Sequence, residues 1–220
     1  MSITTYSELK TAVQNWAARS DSSFTNRIDE FIDLCEARVH YGSGEPGQPY
    51  YSEPLRIRGM MTASDITISS QSVAQPTGFL ELIRIYLSTD PKNDLDYMAP
   101  DRFWASSVGA TASTGKPVAY TIEGTNFVFG PAPDSSYTGK VLHFKKMDAL
   151  SDSATTNWLI TNAPNVYLYG SMLEYSIWEG DDEGAGKYAA LYSTAINGLV
   201  TQDKRSSHGT PLRMMADRVA

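Results

Sequence analysis

The spacing of apolar residues changes twice along this chain, and that change constrains the fold more than any other feature. From about residue 5 to residue 40 the period is helical. Leu9, Val13 and Trp16 share one stripe; Phe24, Ile28, Phe31, Ile32, Cys35 and Val39 form a second, while Asn26, Asp29, Glu30, Asp33, Glu36 and Arg38 fall mostly outside it. Thr5 and Glu8 have the spacing of a capping box, in which the hydroxyl serves the glutamate amide and the carboxylate reaches back. The run from Gly42 to Pro49 stops the second helix, because its glycines favour open backbone geometry and proline lacks the donor a helix needs.

Between about Asp65 and Met147 the period becomes two, with turn residues at short intervals, which predicts strands. Ile66 and Ile68 alternate with Thr67, and Phe79 to Leu87 reads as a longer strand. Tyr120 and Ile122, then Phe127 and Phe129, flank the hairpin turn Glu123-Gly-Thr-Asn126, and Pro131 to Asp134 ends that hairpin. Val141 to Met147 supplies a further strand. The segment Ala99 to Lys116, with Gly109, Ser113 and Gly115, reads as an exposed loop or a strand of weak register.

The helical period returns after Thr156. Pro164 suits a first turn, Val166, Tyr169, Leu173 and Ile177 follow, and Gly180 to Glu183 makes a tight connection. A final helix carries Tyr188, Leu191, Tyr192, Ala195, Ile196 and Leu199 on one side and fades over Gln202 to Ser207. The predicted class is therefore α+β: a helical bundle made from the N- and C-terminal helices, with an inserted antiparallel β-rich unit. The expected division is residues 1–60 and 151–205 for the bundle, 61–150 for the insertion and 206–220 for an extended C-terminal tail. No internal repeat is present.

Composition narrows the function classes. With 220 residues, 41% of them hydrophobic, the chain can bury a core without disulfides or metals. A formal charge of -7 argues against the basic surface that non-specific nucleic-acid binding requires. The single Cys35 cannot make an internal disulfide, and the first ten residues lack the basic and apolar regions of an export signal, so a cytoplasmic setting is expected. No stretch approaches the roughly 18 apolar residues of a spanning helix, so no membrane partner is expected.

Each candidate for chemistry meets a simpler structural explanation. Gly42, Gly44 and Gly47 have dinucleotide-loop spacing but follow a helix where a strand is needed. Thr114-Gly-Lys116 is followed by Pro117 where a phosphate loop requires a hydroxyl. Asp90, Asn93, Asp94 and Asp96 lack the glycine and terminal glutamate of a calcium loop. His40, His143 and His208 lie far apart, with no metal-ligand spacing, so neither metal nor cofactor is expected. Cys35 sits on an apolar stripe as a packing thiol, and no nucleophile elbow exists. Trp16, Trp158 and Trp178 could build a sugar platform, but they fall in segments that read as helical core. No catalytic residue is nominated.

One asymmetry survives. Residues 203–220 hold Lys204, Arg205, Arg213 and Arg218 against Asp203 and Asp217, a local positive excess in an acidic chain. From residue 206 the sequence has no period. Leu212, Met214 and Met215 could anchor in a partner's groove while Arg213 and Arg218 pair with carboxylates at its rim.

The order of features resembles the adaptor, or head-to-tail connector, proteins of tailed bacteriophages, including the tail tubular A type. The resemblance rests on Phe31-Ile-Asp-Leu-Cys-Glu-Ala-Arg38, on Gly115-Lys-Pro-Val-Ala-Tyr-Thr-Ile-Glu-Gly124 leading into Phe127-Val-Phe-Gly-Pro-Ala-Pro-Asp134, and on Asn157-Trp-Leu-Ile followed by Ala163-Pro164 and Tyr167-Leu-Tyr-Gly170. Cys35 stands where such proteins usually carry a small alanine-like residue. The resemblance implies a structural virion protein with no enzyme activity, assembled in the host cytoplasm. It would form a ring below the portal, expected to hold about twelve copies, which extends the DNA channel and meets the tail or nozzle protein. Double-stranded DNA would pass through without specific binding, since copies at -7 each repel it. The docking residues Leu212, Arg213, Met214, Met215 and Arg218 would then engage the portal or a neighbouring subunit, with the tail extended until assembly. The alternative from another class is a tail-associated carbohydrate-binding or glycan-hydrolysing module, for which no carboxylate pair stands out.

Overall fold

The computed structural model describes residues 2–89, 92–109 and 114–207. In chain order the elements are α1 (Tyr6–Ala17), α2 (Ser22–Thr25), α3 (Ile28–Tyr41), a 3-10 turn (Arg58–Met60), β1 (Met61–Ile68), β2 (Ser72–Ala74), β3 (Phe79–Leu87), β4 (Asn93–Asp94), β5 (Asp96–Tyr97), α4 (Pro100–Ala105), β6 (Thr114–Gly115), β7 (Ala119–Glu123), β8 (Asn126–Gly130), β9 (Ala132–Pro133), β10 (Tyr137–Lys145), α5 (Trp158–Asn162), α6 (Pro164–Glu179) and α7 (Asp182–Ser207). The class is α+β, as the change of period predicts. Two compact units result: one holds the chain up to Gly59 and again from Met147, and the other is Met60–Lys146.

In the helical unit, α1 opens with the predicted capping box: the Glu8 amide donates to the Thr5 hydroxyl at 3.3 Å and the Thr5 amide donates to the Glu8 carboxylate at 3.1 Å. The second apolar stripe is buried along its whole length, from Phe24 to Val39. It is carried by two helices, because the backbone breaks between Thr25 and Ile28 after a single turn capped by Asp21. At the centre lies α6, which packs against α1, α3, α5 and α7. Its buried residues, among them Val166, Tyr167, Leu168, Met172 and Leu173, surround the helix, as befits one enclosed on several sides. Pro164 occupies the first turn, and Gly180 ends the helix in the left-handed conformation at φ 76°.

The second unit is built from two four-stranded sheets, ordered β1-β10-β3-β4 and β2-β8-β7-β5, with a small pair β6-β9. Pairing is antiparallel except between β5 and β7 and between β6 and β9. Inward residues of both sheets, including Ile66, Ile68, Ile85, Leu87, Phe127, Phe129 and Val141, form one core. The hairpin closes as predicted on the pair Glu123 and Asn126, with Gly124 at φ 57° supplying the turn. The strand expected over Val141 to Met147 instead begins at Tyr137 and ends at Lys145, where it pairs with β1 and β3.

Two expectations need correction. Ala99 to Lys116 is not simply loop or weak strand, since it contains α4, with Pro100 in its first turn. Its anchor is Phe103, fully buried against Gly130, where an added Cβ would lie 2.8 Å from the ring. Ser113 lies outside the described residues. The last helix does not fade over Gln202 to Ser207: α7 continues through Ser207, so Ser206 is helical where an extended tail was expected. Arg58 holds this end, donating to the Asp203 carboxylate at 2.9 Å and to the Ser206 carbonyl at 3.2 Å.

Candidate functional site

Glu36 and Arg38 fall off the apolar stripe of α3, where a wet face was expected, and His40 lies off the same stripe. They are buried instead, at 7%, 6% and 5% exposure. Each one satisfies backbone or side-chain groups from distant parts of the helical unit, which is the condition for burying a polar group cheaply. Glu36 Oε1 accepts from the Leu150 amide at 2.9 Å and from the Tyr167 hydroxyl at 2.9 Å. Asn157 donates to that tyrosine at 2.6 Å and caps α5 by accepting from the Ile160 amide at 3.0 Å. Arg38 pairs with Glu174 of α6 at 2.6 Å and donates to the Tyr50 carbonyl at 2.8 Å. His40 Nε2 accepts from the Met147 amide at 3.2 Å, and the His40 carbonyl accepts from Arg56 at 3.0 Å.

These three alternate positions on α3 therefore hold residues 50 and 56, which precede the β insertion in the chain, and residues 147 and 150, which follow it. The arrangement is a clamp on both connections. Burial pushes the Cys35 thiol well above its ordinary range, with the Glu174 and Glu36 carboxylates adding to the effect, so it is a packing group as expected. Burial, then the Glu36 charge, likewise raises the Tyr167 phenol. Among the described residues no group of three or more His, Cys, Asp or Glu side chains could hold a metal ion. No helix there is long and apolar enough to cross a membrane.

The outer surface of the helical unit differs from expectation at its tryptophans. Trp16, Trp158 and Trp178 lie in helices but are 48%, 40% and 42% exposed, because the volume between helices is filled by Phe24, Phe31, Tyr167 and Tyr192. Trp16 packs at its edge with Tyr169 and Tyr188, with centroids 5.9 and 6.4 Å away. Arg19 and Arg27 lie over Trp178, 5.9 and 5.8 Å from its centroid. Trp158 covers Gly59, where an added Cβ would come within 2.9 Å of the indole.

Among the described residues α7 packs chiefly on α6, which leaves its other flank partly exposed. Of its predicted stripe only Tyr192 and Ile196 are buried, against α6, while Tyr188, Leu191, Ala195 and Leu199 are half-buried. A hollow of about 490 Å³ runs along this flank between Tyr169, Leu191, Ala195 and Leu199. A second, of about 260 Å³, follows toward the helix end between Trp158, Leu199, Asp203 and Ser206. On the other side of α7 a hollow of about 360 Å³ lies between Tyr51, Pro54, Tyr192 and Val200.

Compared with known families, residues 4–215 match the model of the SU10 adaptor protein. The chain belongs to the SU10 adaptor protein family. The match spans both units and bears out the resemblance to phage head-to-tail adaptors read from Phe31 to Arg38 and the later motifs. This adaptor is thus a structural phage protein. No curated protein matches the chain.

The adaptor's predicted docking residues, Leu212, Arg213, Met214, Met215 and Arg218, lie outside the described residues, as do Asp90 and His208. Of the other acidic candidates, Asp94 is held by two bonds from Arg84, at 2.8 and 2.6 Å, which keep its carboxyl below the usual range. Sequence reasoning missed the clamp on α3. The available signal was three polar side chains at alternate positions near the end of a helix that carries the apolar stripe Phe31, Ile32, Cys35 and Val39.

Proposed function

We propose that this adaptor forms a ring below the portal, extends the DNA channel and joins the capsid to the tail. The observation that carries the reading is the family match over residues 4–215. Its partners are then the portal protein, a tail or nozzle protein and further copies of itself, about twelve in a closed ring. The helical unit offers unpaired apolar flanks for heterologous contacts of the kind a ring requires. A charge of -7 per copy keeps DNA from adhering as it passes. The clamp of Glu36, Arg38 and His40 would hold both chain connections to the β insertion when the neck transmits load. The helical unit, the β insertion and the segment after α7 are the working parts of this reading, and the site of action is the virion neck after assembly in the host cytoplasm.

In the assembled neck, Leu212, Met214 and Met215 seat in a groove of the portal or of the adjacent subunit, and Arg213 and Arg218 pair with carboxylates at its rim. A glycan platform is the weaker reading, because Trp178 is covered by two arginines and Trp158 lies on Gly59. The deciding experiment mixes the purified protein with the portal of the same phage and images the product. A ring of adaptor on the portal is expected, with weaker attachment when Leu212, Met214 and Met215 are each changed to Asp. Absence of any complex, or retention on a glycan surface in its place, would overturn the reading.

A further inference from the structure

The two four-stranded sheets of the β unit end on β1 and β4 and on β2 and β5, and three of these edges are blunted. β2, β4 and β5 are only three, two and two residues long. Behind β4, which covers Tyr86 and Leu87, the register of β3 against β10 shifts at Ile83 and again at Leu80. Short strands and shifted registers protect a sheet against edge-to-edge pairing. β1 has neither. Met61–Ile68 pairs with β10 through eight successive residues without a shift and holds no proline, lysine or arginine. Among the described residues no strand lies on its other side. An antiparallel strand bonds one neighbour through alternate residues, so the remaining residues of β1 turn their N–H and C=O groups outward. No other backbone hydrogen bond takes them up among the described residues.

We propose that in the free protein β1 pairs antiparallel with the β1 of a second copy, across a two-fold axis at Ser64, joining two four-stranded sheets into one of eight. Among the described edges of a second copy, only its β1 matches this strand in length. Ile66 and Ile68 face the core, so Thr62 and Ser64 share their side, while the exposed Met61, Ala63, Asp65 and Thr67 share the outer one. Keeping both cores on one side of the joined sheet requires each residue to meet one of the same face. Centring the pair on Asp65 would set two like charges opposite each other, which is unfavourable. Centring it on Ser64 sets Asp65 opposite Ala63 of the second copy and Met61 opposite Thr67, and uses the strand from Met61 to Thr67. Each Asp65 keeps Lys140 of its own copy at 3.4 Å, which offsets the weaker repulsion across the axis. The contact occupies both open edges at once, so association stops at two and leaves no template for aggregation.

This goes beyond the adaptor reading, because a two-fold contact has no place within a single cyclic ring. The dimer stores the free chain and parts as copies join the portal.

The test follows the mass of the full chain by sedimentation from about 1 to 100 µM, the range in which an interface below about 1,200 Å² dissociates. A monomer–dimer equilibrium is expected. Ala63→Asp sets a carboxylate opposite Asp65 of the second copy, twice per dimer, and should weaken the dimer about tenfold. Ala63→Lys, at the same exposed position, meets that Asp65 with the opposite charge and should hold or tighten the dimer. In a second arm, Ser64→Cys brings two thiols together on the axis. Thr67→Cys, at a more exposed position, lies far from its own counterpart. Native Cys35 is fully buried and stays out of the reaction. Under mild oxidation Ser64→Cys should link two copies at least about tenfold faster than Thr67→Cys, since a disulfide needs the two Cβ atoms within about 4.5 Å. A monomer throughout the range overturns the inference, and so does a dimer indifferent to the charge at position 63 or linked equally by either cysteine. A larger oligomer weakened by Ala63→Asp also overturns it and assigns the β1 edge to a ring neighbour. Portal attachment is measured separately, so either reading can fail alone.

Discussion

The sulfur of Cys35 lies so close to Gly170 that a Cβ added to the glycine would sit 2.3 Å from it. This contact sets how near α3 comes to α6, and it involves a fully buried thiol. Neither backbone can retreat easily, because α6 is packed by neighbours on several sides.

Gly170→Ala should therefore cost about 3 kcal/mol by overpacking. Cys35→Ala alone should cost about 1 kcal/mol for the lost sulfur, and the double variant should recover most of the first loss. Denaturant unfolding of the four chains gives the coupling directly. Additive losses would show that the helices separate without strain. The native thiol, raised by burial, should resist a thiol reagent until the chain unfolds.

Arg38 and Glu174 form a pair with side chains only 7% and 11% exposed. Arg38→Met strands the carboxylate in the interior and also frees the Tyr50 carbonyl, so a loss of about 3–5 kcal/mol is expected. Arg84 and Asp94 in the β unit are bonded as closely, at 2.6 Å, but are 58% and 56% exposed. Solvent screening there should make the cost of Arg84→Met much smaller than that of Arg38→Met. Similar costs for the two variants, measured by thermal or urea unfolding, would contradict the role given to burial.

That contrast explains what could be read from the sequence. Ile66, Ile68, Phe127 and Phe129 alternate cleanly because one face of each strand meets a core, and the hairpin turn between Glu123 and Asn126 carries its own glycine. The stripe from Phe24 to Val39 is legible for the same reason. Glu36, Arg38 and His40 are not, because their partners at Leu150, Glu174, Tyr50 and Met147 adjoin them only after folding. The tryptophans mislead in the opposite sense: ring size favours burial, yet Phe24, Phe31 and Tyr167 fill the volume first. A six-residue helix such as α4, with no side-chain cap, has too few turns to show a period. For the function, the order of motifs was more telling than any single residue.

Tyr167 and Tyr192 are both almost fully buried, at 1% exposure, but only the first has its hydroxyl in use. It donates to Glu36 and accepts from Asn157, while the Tyr192 hydroxyl has no partner among the described residues. Tyr167→Phe should then cost about 1–3 kcal/mol, because Glu36 loses a donor in the interior, whereas Tyr192→Phe should be neutral or stabilise by about 1 kcal/mol. Burial raises both phenols above their ordinary value of about 10. A folded-state value above the unfolded one means that the contribution is complete below about pH 10 and is lost as the pH climbs toward the folded value, since the unfolded chain releases the proton first. Stability should accordingly be flat from pH 7 to 9 with respect to these groups and fall above about pH 10. Tyr192→Phe should make that alkaline fall shallower without lowering the neutral plateau. Urea midpoints collected from pH 7 to 11 for the three chains test both statements; a neutral-pH loss in Tyr192→Phe equal to that in Tyr167→Phe would mean that the Tyr192 hydroxyl is bonded after all.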